Sequence, residues 1–453
     1  MFQKEKTYKS PVKDQKIIKA FGMEMHNPVF VISALLILIF SIITLVFPSA
    51  SNSALNGAQL WTLSKFDWFY SLIPVLILTL CVVLAVSPFG KIKLGGKDAK
   101  PEYKVGSWIA MLFAAGVGIG FMFYGSAEPL GYYTDWFGTP FNVSAETVDA
   151  RRLAFTTSVF HWGLSAWSIY AIVGLTLAFF AYNMDLPLTI RSAFFPIFGE
   201  KIWGWRGHII DMFAVVSTIF GLACTIGIGA TQATGGLSYI FDVEATKSLQ
   251  IILIFIITII AIFSILRGMN GGVKLLSNVN MVFAGLLLFF VIMAGPTVGI
   301  FESMFETFIY SVPDSLRLTN WVGRADKNFF HDWTIFYWAW WIAWSPFVGM
   351  FIAKISKGRT IRQFMMGVLI APFSIGLVWF TAFGETAISQ FEDKVGDLSE
   401  GMTDSSLTLF QMLNSLPYSD VTSVVAIFLL IIFIVTSADS GSLVVDSLTS
   451  GTQ

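Results

Sequence analysis

Ten stretches of about twenty mostly apolar residues recur along the chain, at 28–47, 69–88, 107–127, 154–181, 210–239, 248–266, 276–300, 333–353, 363–384 and 421–440. A helix rises about 1.5 Å per residue, so each stretch is long enough for a hydrocarbon core about 30 Å thick. Most are too long and too uninterrupted for barrel strands, which alternate over about ten residues. In lipid the backbone has to satisfy its own hydrogen bonds, so the stretches read as membrane-spanning helices. The chain is therefore expected to be an all-α, polytopic membrane protein. Composition agrees: 55% of the 453 residues are apolar and 13% are charged, where soluble domains carry about 25% charge. A net charge of −1 gives no basic field for nucleic acid as a partner. Cys81 and Cys224 both lie inside apolar runs, which argues against a disulfide framework or a thiolate metal site.

Lys and Arg set the orientation. With the N-terminus inside and the sides alternating, segments 1–27, 89–106, 182–206, 267–275 and 354–362 hold 20 of the 28 basic residues. The expected location is the cell (inner or plasma) membrane, crossed many times, with a cytoplasmic N-terminus. Residues 1–27 form a lysine-rich tail without a signal-cleavage pattern. Between spans, 301–318 places Phe301, Met304, Phe305, Phe308 and Ile309 at helical spacing and reads as an interfacial amphipathic helix. Residues 386–420, with Glu392, Asp393, Asp397, Glu400 and Asp404, read as a solvated outer loop.

Three spans depart from plain anchors. The third carries Gly116, Gly118 and Gly120 in mid-span. Each glycine weakens a helix by roughly 0.8–1.0 kcal/mol, and three invite an unwound segment lining a cavity. Close helix packing through a GxxxG pair explains the same glycines. The eighth span places Trp340, Trp341 and Trp344 roughly 10–16 Å below its start, too deep for an interfacial belt. Pro346 is expected to break the helix beside them. The fourth span adds Trp162, Trp167 and Tyr170. Buried aromatic faces around a cavity suit a quaternary ammonium or sulfonium, which has no proton to donate and is attracted through the ring quadrupole. Large packing residues would read the same way. Thr436 and Ser437, at the end of the tenth span, offer hydroxyls for a small hard cation, or bond their own backbone. Asp439 reads as a boundary charge, and His161 as a packed, hydrogen-bonded histidine. No nucleophile–base pair or metal-ligand cluster is visible, so an enzyme is not expected.

These residues resemble those of the betaine/carnitine/choline transporter family. The resemblance is carried by Gly116–Gly120 followed by Ala127-Glu128-Pro129, by His161-Trp162 with Trp167 and Tyr170, by Trp338 to Pro346 running on to Lys357-Gly358-Arg359-Thr360, and by Thr436 to Gly441. It implies twelve helices with the inverted-repeat core shared with sodium-coupled amine symporters. Two peripheral helices at 28–88 would precede a first repeat over 107–300, and the second repeat would fill 333–453. Only twelve residues follow Gly441, so about ten helices are expected and a second repeat short of two spans.

The resemblance further implies an aromatic box of Trp162, Trp167, Tyr170 and Trp341, with Trp340 beside it and Trp344 and Phe351 on the cytoplasmic route. Gly116, Gly118 and Gly120 would complete the substrate site. It implies a principal Na⁺ site at Ala114, Val117, Phe433, Thr436 and Ser437. A second would fall at Thr218 and Phe347, where Leu222 replaces a hydroxyl. The chain would be a Na⁺-coupled symporter importing an onium zwitterion, glycine betaine first among them, because no carboxylate stands in the glycine run. Na⁺ is the coupling ion and no other cofactor is expected. The family is typically trimeric. A binding sensor that does not transport, and a Na⁺-independent exchanger, remain alternative readings.

Overall fold

A computed structural model describes residues 17–20, 23–116, 118–267, 272 and 274–450. A short antiparallel hairpin, β1 Ile17–Ala20 and β2 Met23–His26, leads into a bundle of helices. These are α1 Val29–Val46, α2 Pro48–Lys65, α3 Asp67–Val86, α4 Val105–Gly116, α5 Gly118–Tyr133, α6 Val148–Trp162, α7 Leu164–Met184 and α8 Trp205–Phe241. There follow α9 Lys247–Leu266, α10 Lys274–Ala294, α11 Thr297–Thr319, α12 Phe336–Ile355, α13 Ile361–Glu392, α14 Thr408–Asn414 and α15 Ser419–Ser450. Among the described residues nine helices, counting α6 and α7 as one, are long and apolar enough to cross a membrane. The bent pair of α4 and α5 makes ten. The chain is an all-α, multi-pass membrane protein.

Burial separates outer helices from inner ones. Only 11% of the most apolar stretch of α1 and 17% of that of α3 are buried within the protein, against 67% for α12 and for α15. α1 turns Leu35, Leu38, Ile42 and Leu45 outward, as a lipid-facing helix does. Local chemistry fixes the helix starts. Thr147 caps α6 by accepting from the Ala150 amide at 3.2 Å, and Thr246 caps α9 through Leu249 at 3.1 Å. Thr360 and Gln363 close a reciprocal capping box on α13.

One end of the bundle is tied by strand-like bonds between two loops. Leu94 N donates to Arg359 O at 2.9 Å, Gly358 N to Leu94 O at 2.8 Å and Ile361 N to Ile92 O at 2.9 Å. Arg359 lies over the Trp108 ring at 3.8 Å, and its guanidinium donates to Tyr103 O. At the other end, Arg151 of α6 pairs with Glu385 and Glu392 of α13, while Arg152 lies 3.6 Å from Asp314 of α11.

Three expectations are corrected. Pro346 does not break its helix: α12 runs through it from Phe336 to Ile355. The carbonyl of Ile342, which proline leaves without an amide, accepts from Ser345 Oγ at 2.8 Å, and that of Ala343 accepts from Ser217 of α8. Hydroxyls thus repair the ladder, as membrane helices allow. The last span does not stop near 440. α15 continues to Ser450, with Ser447 and Thr449 bonding the carbonyls of Leu443 and Val445, so Asp439 sits buried within the helix rather than at its boundary. Residues 386–420 are not all solvated loop. The five acidic residues are exposed, but α13 extends to Glu392 and α14 buries Leu409, Phe410, Met412 and Leu413.

Candidate functional site

Backbone geometry brings the site together. The described halves of the third span, Val105–Phe113 and Gly118–Tyr133, cross at 64°, so the start of α5 faces inward instead of continuing α4. The fourth span also turns, at Gly163 (φ −100°, ψ −139°), which ends α6 with Trp162 beside α5. α12 faces both with aromatic residues on successive turns.

The resulting cavity is narrow, with about 30 Å³ of free space between the rings, and is lined by Gly118, Ile119, Gly120, Tyr124, Trp162, Thr225, Ile228, Trp340, Trp341, Trp344 and Ser437. The Trp340 and Trp341 rings are parallel within 2° at 5.4 Å, and Tyr337 stacks on both at 6.0 Å. Trp162 meets Trp341 edge to face at 5.0 Å and an interplanar angle of 76°. Gly120 is required there: a Cβ on it would stand inside the van der Waals surface of the Trp162 ring. A Cβ on Gly118 would strike the Phe433 ring.

Hydrogen bonds hold the rings in place. Trp341 Nε1 donates to His161 O at 2.9 Å, and Trp162 Nε1 donates to Glu128 Oε2 at 2.8 Å. His161 is fully buried, with Nδ1 3.0 Å from Glu128 Oε1 and Nε2 3.0 Å from Thr334 Oγ1. Two donors in the lining, Trp344 Nε1 and Thr225 Oγ1, are buried without a partner in the protein. Trp344 Nε1 lies against Gly221 of α8, and an unmade buried hydrogen bond costs about 1–3 kcal/mol.

Of the residues expected at a substrate site, Gly118, Gly120, Trp162, Trp340, Trp341 and Trp344 line this one cavity. Trp167, Tyr170 and Phe351 do not. The turn at Gly163 carries Trp167 and Tyr170 to the far side of Trp341, where Tyr170 meets that ring edge-on at 5.7 Å and packs against Trp167. Phe351 is buried nearly two turns beyond Trp344. Gly116 closes α4.

Among the expected ion ligands, Ser437 lines the cavity and Ala114 lies in α4, whereas Val117 falls outside the described residues. Phe433 packs on Gly118, and the Thr436 hydroxyl already lies 3.0 Å from the carbonyls of Ile432 and Phe433. At the second position Thr218 Oγ1 is buried without a protein partner, and the Phe347 ring packs at 5.3 Å from Trp344.

Sequence reasoning overlooked Tyr124, which lines the cavity, Tyr337, which completes the stack, and Glu128, which anchors Trp162. Tyr337 stands one turn before Trp341, so helical spacing alone would have joined it to the stack.

Comparison with known proteins bears on the whole chain. Residues 28–453 match the model of the BCCT family, the betaine/carnitine/choline family transporters. The chain is 48% identical over 439 residues to glycine betaine transporter 1 of Vibrio parahaemolyticus, a match covering 96% of this chain and 84% of that protein. It is 41% identical to the glycine betaine transporter OpuD of Bacillus subtilis, over 89% of this chain and 79% of that one. It is 40% identical to the high-affinity choline transport protein of Escherichia coli K12, over 94% of this chain and 63% of that one. Family and relatives alike are transporters, not enzymes, and the chain belongs to the betaine/carnitine/choline transporter family.

Proposed function

We propose that the protein imports a quaternary-ammonium or sulfonium zwitterion, glycine betaine foremost, by Na⁺-coupled symport and alternating access across the cell membrane, with its N-terminus in the cytoplasm. The observation that carries this reading is the cavity walled by Trp162, Trp340, Trp341 and Trp344. Desolvated aromatic faces attract a permanent cation by about 2 kcal/mol or more, and they do so without needing a proton from it. Thr225 Oγ1, buried in the lining without a protein partner, is the hydrogen-bonding group offered to the other end of a zwitterion. The names of the relatives, glycine betaine and choline transporters, point to the same class of substrate.

Support for sodium is that Ser437 shares the cavity with Gly118 and Gly120. An ion there would touch both the broken helix and α15, so ion and substrate would favour the same closed arrangement. Thr218 and Phe347 are the proposed second position, with Leu222 supplying no oxygen. A trimer is the proposed assembly.

The test is uptake of radiolabelled glycine betaine into proteoliposomes carrying the chain, with and without an inward Na⁺ gradient. Accumulation that requires the gradient is expected. Uptake driven only by preloaded substrate and indifferent to Na⁺ would replace symport with exchange. Tryptophan quenching by betaine without uptake would reduce the protein to a binder.

A further inference from the structure

Glu128 is a fully buried carboxylate on α5, immediately behind the aromatic wall. Three donors and a histidine ring nitrogen converge on it. Trp162 Nε1 and the Tyr337 hydroxyl reach Oε2 at 2.8 and 2.9 Å, while the Tyr132 hydroxyl and His161 Nδ1 reach Oε1 at 2.9 and 3.0 Å. Oε2 accepts from two donors and Oε1 from the Tyr132 hydroxyl, a pattern that suits a carboxylate. Among the described residues no Lys or Arg forms an ion pair with it; His161 alone stands at ion-pair distance. A charge kept in such a place is held by charge-assisted hydrogen bonds, and its field is not cancelled by a fixed cation.

The donors are the machinery of the pocket. Trp162 lines the cavity, and Tyr337 stacks on Trp340 and Trp341. A carboxylate on the N–H edge of an indole, or on a phenol hydroxyl, pushes electron density onto the ring. That deepens the negative potential of the face turned toward the ligand. The carboxylate also acts directly, since a unit charge across roughly 10 Å in an effective dielectric of about 20 alters binding of a cation about tenfold.

We infer that Glu128 is the counter-charge of the pocket: it positions Trp162 and Tyr337 and makes the site prefer a permanently cationic head over a neutral group of the same shape. The inference rests on the onium reading above and adds the residue that makes the pocket selective for charge. Glu128 touches no ligand in this account. It is a positioning residue that acts through the rings and through its field.

The experiment compares ligands that differ only in charge. Affinities of the full chain for choline and for its uncharged carbon isostere, 3,3-dimethylbutan-1-ol, are measured by tryptophan fluorescence, with glycine betaine as reference. Glu128→Gln keeps the volume and one acceptor but removes the charge. Choline is expected to lose about tenfold more affinity than the isostere, whose own loss reports the donors left facing an amide nitrogen. An equal loss for both ligands would make Glu128 a structural group only, and no loss for either would remove it from the site; both overturn the inference. Should Glu128→Gln fail to fold, Tyr337→Phe serves instead. It deletes one donor and leaves the charge, so the preference for choline over the isostere must survive, and its disappearance refutes the claim. If the unaltered chain binds no onium compound, the substrate reading itself fails, a result distinct from either of these.

Discussion

Replacing Gly120 by alanine sets two effects of known size against each other. Gly120 lies in the first turn of α5, where alanine favours the helix by at most the roughly 0.8–1.0 kcal/mol of an interior position. The new Cβ, however, would lie well inside 3.0 Å of Cη2 and Cζ3 of Trp162 and 3.2 Å from Cζ2. Ordinary carbon contacts are about 3.5–4.0 Å, so the indole has to retreat by more than about 1 Å. Its bond to Glu128, 2.8 Å long, cannot stretch that far and remain a hydrogen bond. Losing a hydrogen bond to a charged group costs about 1.5–3 kcal/mol, and overpacking adds about 1–3 kcal/mol. The steric side wins. The variant should still insert and fold, because helix propensity improves and one ring can shift, yet glycine betaine affinity should fall roughly ten- to hundredfold, the equivalent of the lost bond alone. The assay is calorimetric titration of purified protein beside thermal unfolding. Gly227→Ala is the control: it lies within α8 and a Cβ there meets nothing within 4 Å, so stability should rise slightly and affinity stay put. Indistinguishable affinities for the two variants would refute the claim that Gly120 exists to seat Trp162.

Trp341→Leu removes one wall of the cavity and should weaken betaine binding by about 2 kcal/mol, near thirtyfold, while the protein still folds; unchanged affinity would dismiss the aromatic cage. Ser437→Ala should raise the Na⁺ concentration needed for half-maximal uptake several-fold with little effect on substrate affinity at saturating Na⁺. Identical Na⁺ curves would take Ser437 out of the ion site. His26, whose ring lies 5.1 Å from that of His208, titrates near pH 4 instead of 6.5, chiefly because it is buried and secondarily because Arg191 and His208 are near. The fold thus favours its neutral form, so the seat of this hairpin residue should be fully stable above about pH 6.5 and weaken as pH falls toward 4. Hydrogen exchange of residues 23–26 at pH 7.5 and 5 reads this out, and equal protection at both would contradict it.

The sequence revealed what depends on length and hydropathy, and hid what depends on where a chain turns. Ten apolar runs identify ten spans because no soluble fold needs them. Trp340, Trp341 and Trp344 are legible because helical rise places them too deep for an interfacial belt. Trp167 and Tyr170 share a span with Trp162, but the turn at Gly163 sends them behind Trp341, and no periodicity anticipates that rotation. Pro346 misled because its effect depends on hydroxyls supplied by the adjacent Ser345 and by Ser217 from another helix. Glu128 was legible only as part of the Ala127-Glu128-Pro129 motif, because it stands one residue past the apolar stretch that ends at 127. A buried intramembrane carboxylate is costly and is normally functional, and that principle would have singled it out once α5 was known to continue to Tyr133.

α5 is also the element through which the aromatic site is joined to the rest of the bundle. Its glycines are seats for rings from different helices: Gly118 for Phe433 of α15, Gly120 for Trp162 of α6, and Gly125 for Trp379 of α13. Two of those seats are locked by hydrogen bonds, since Trp379 Nε1 donates to Phe121 O at 2.9 Å and Trp162 Nε1 to Glu128 at 2.8 Å. α12 joins the same body through Tyr337 on Glu128 and Trp341 on the His161 carbonyl. The contact of Gly118 with Phe433 is different, because a phenyl ring offers packing and no hydrogen bond. Packing surfaces slide at small cost, whereas buried hydrogen bonds break at a cost of kilocalories. A rocking motion of the kind proposed here would therefore keep α5, α6, α12 and α13 together and move them against α15. Substrate walls would travel as one piece, and the cavity would open where Ser437 meets the broken helix.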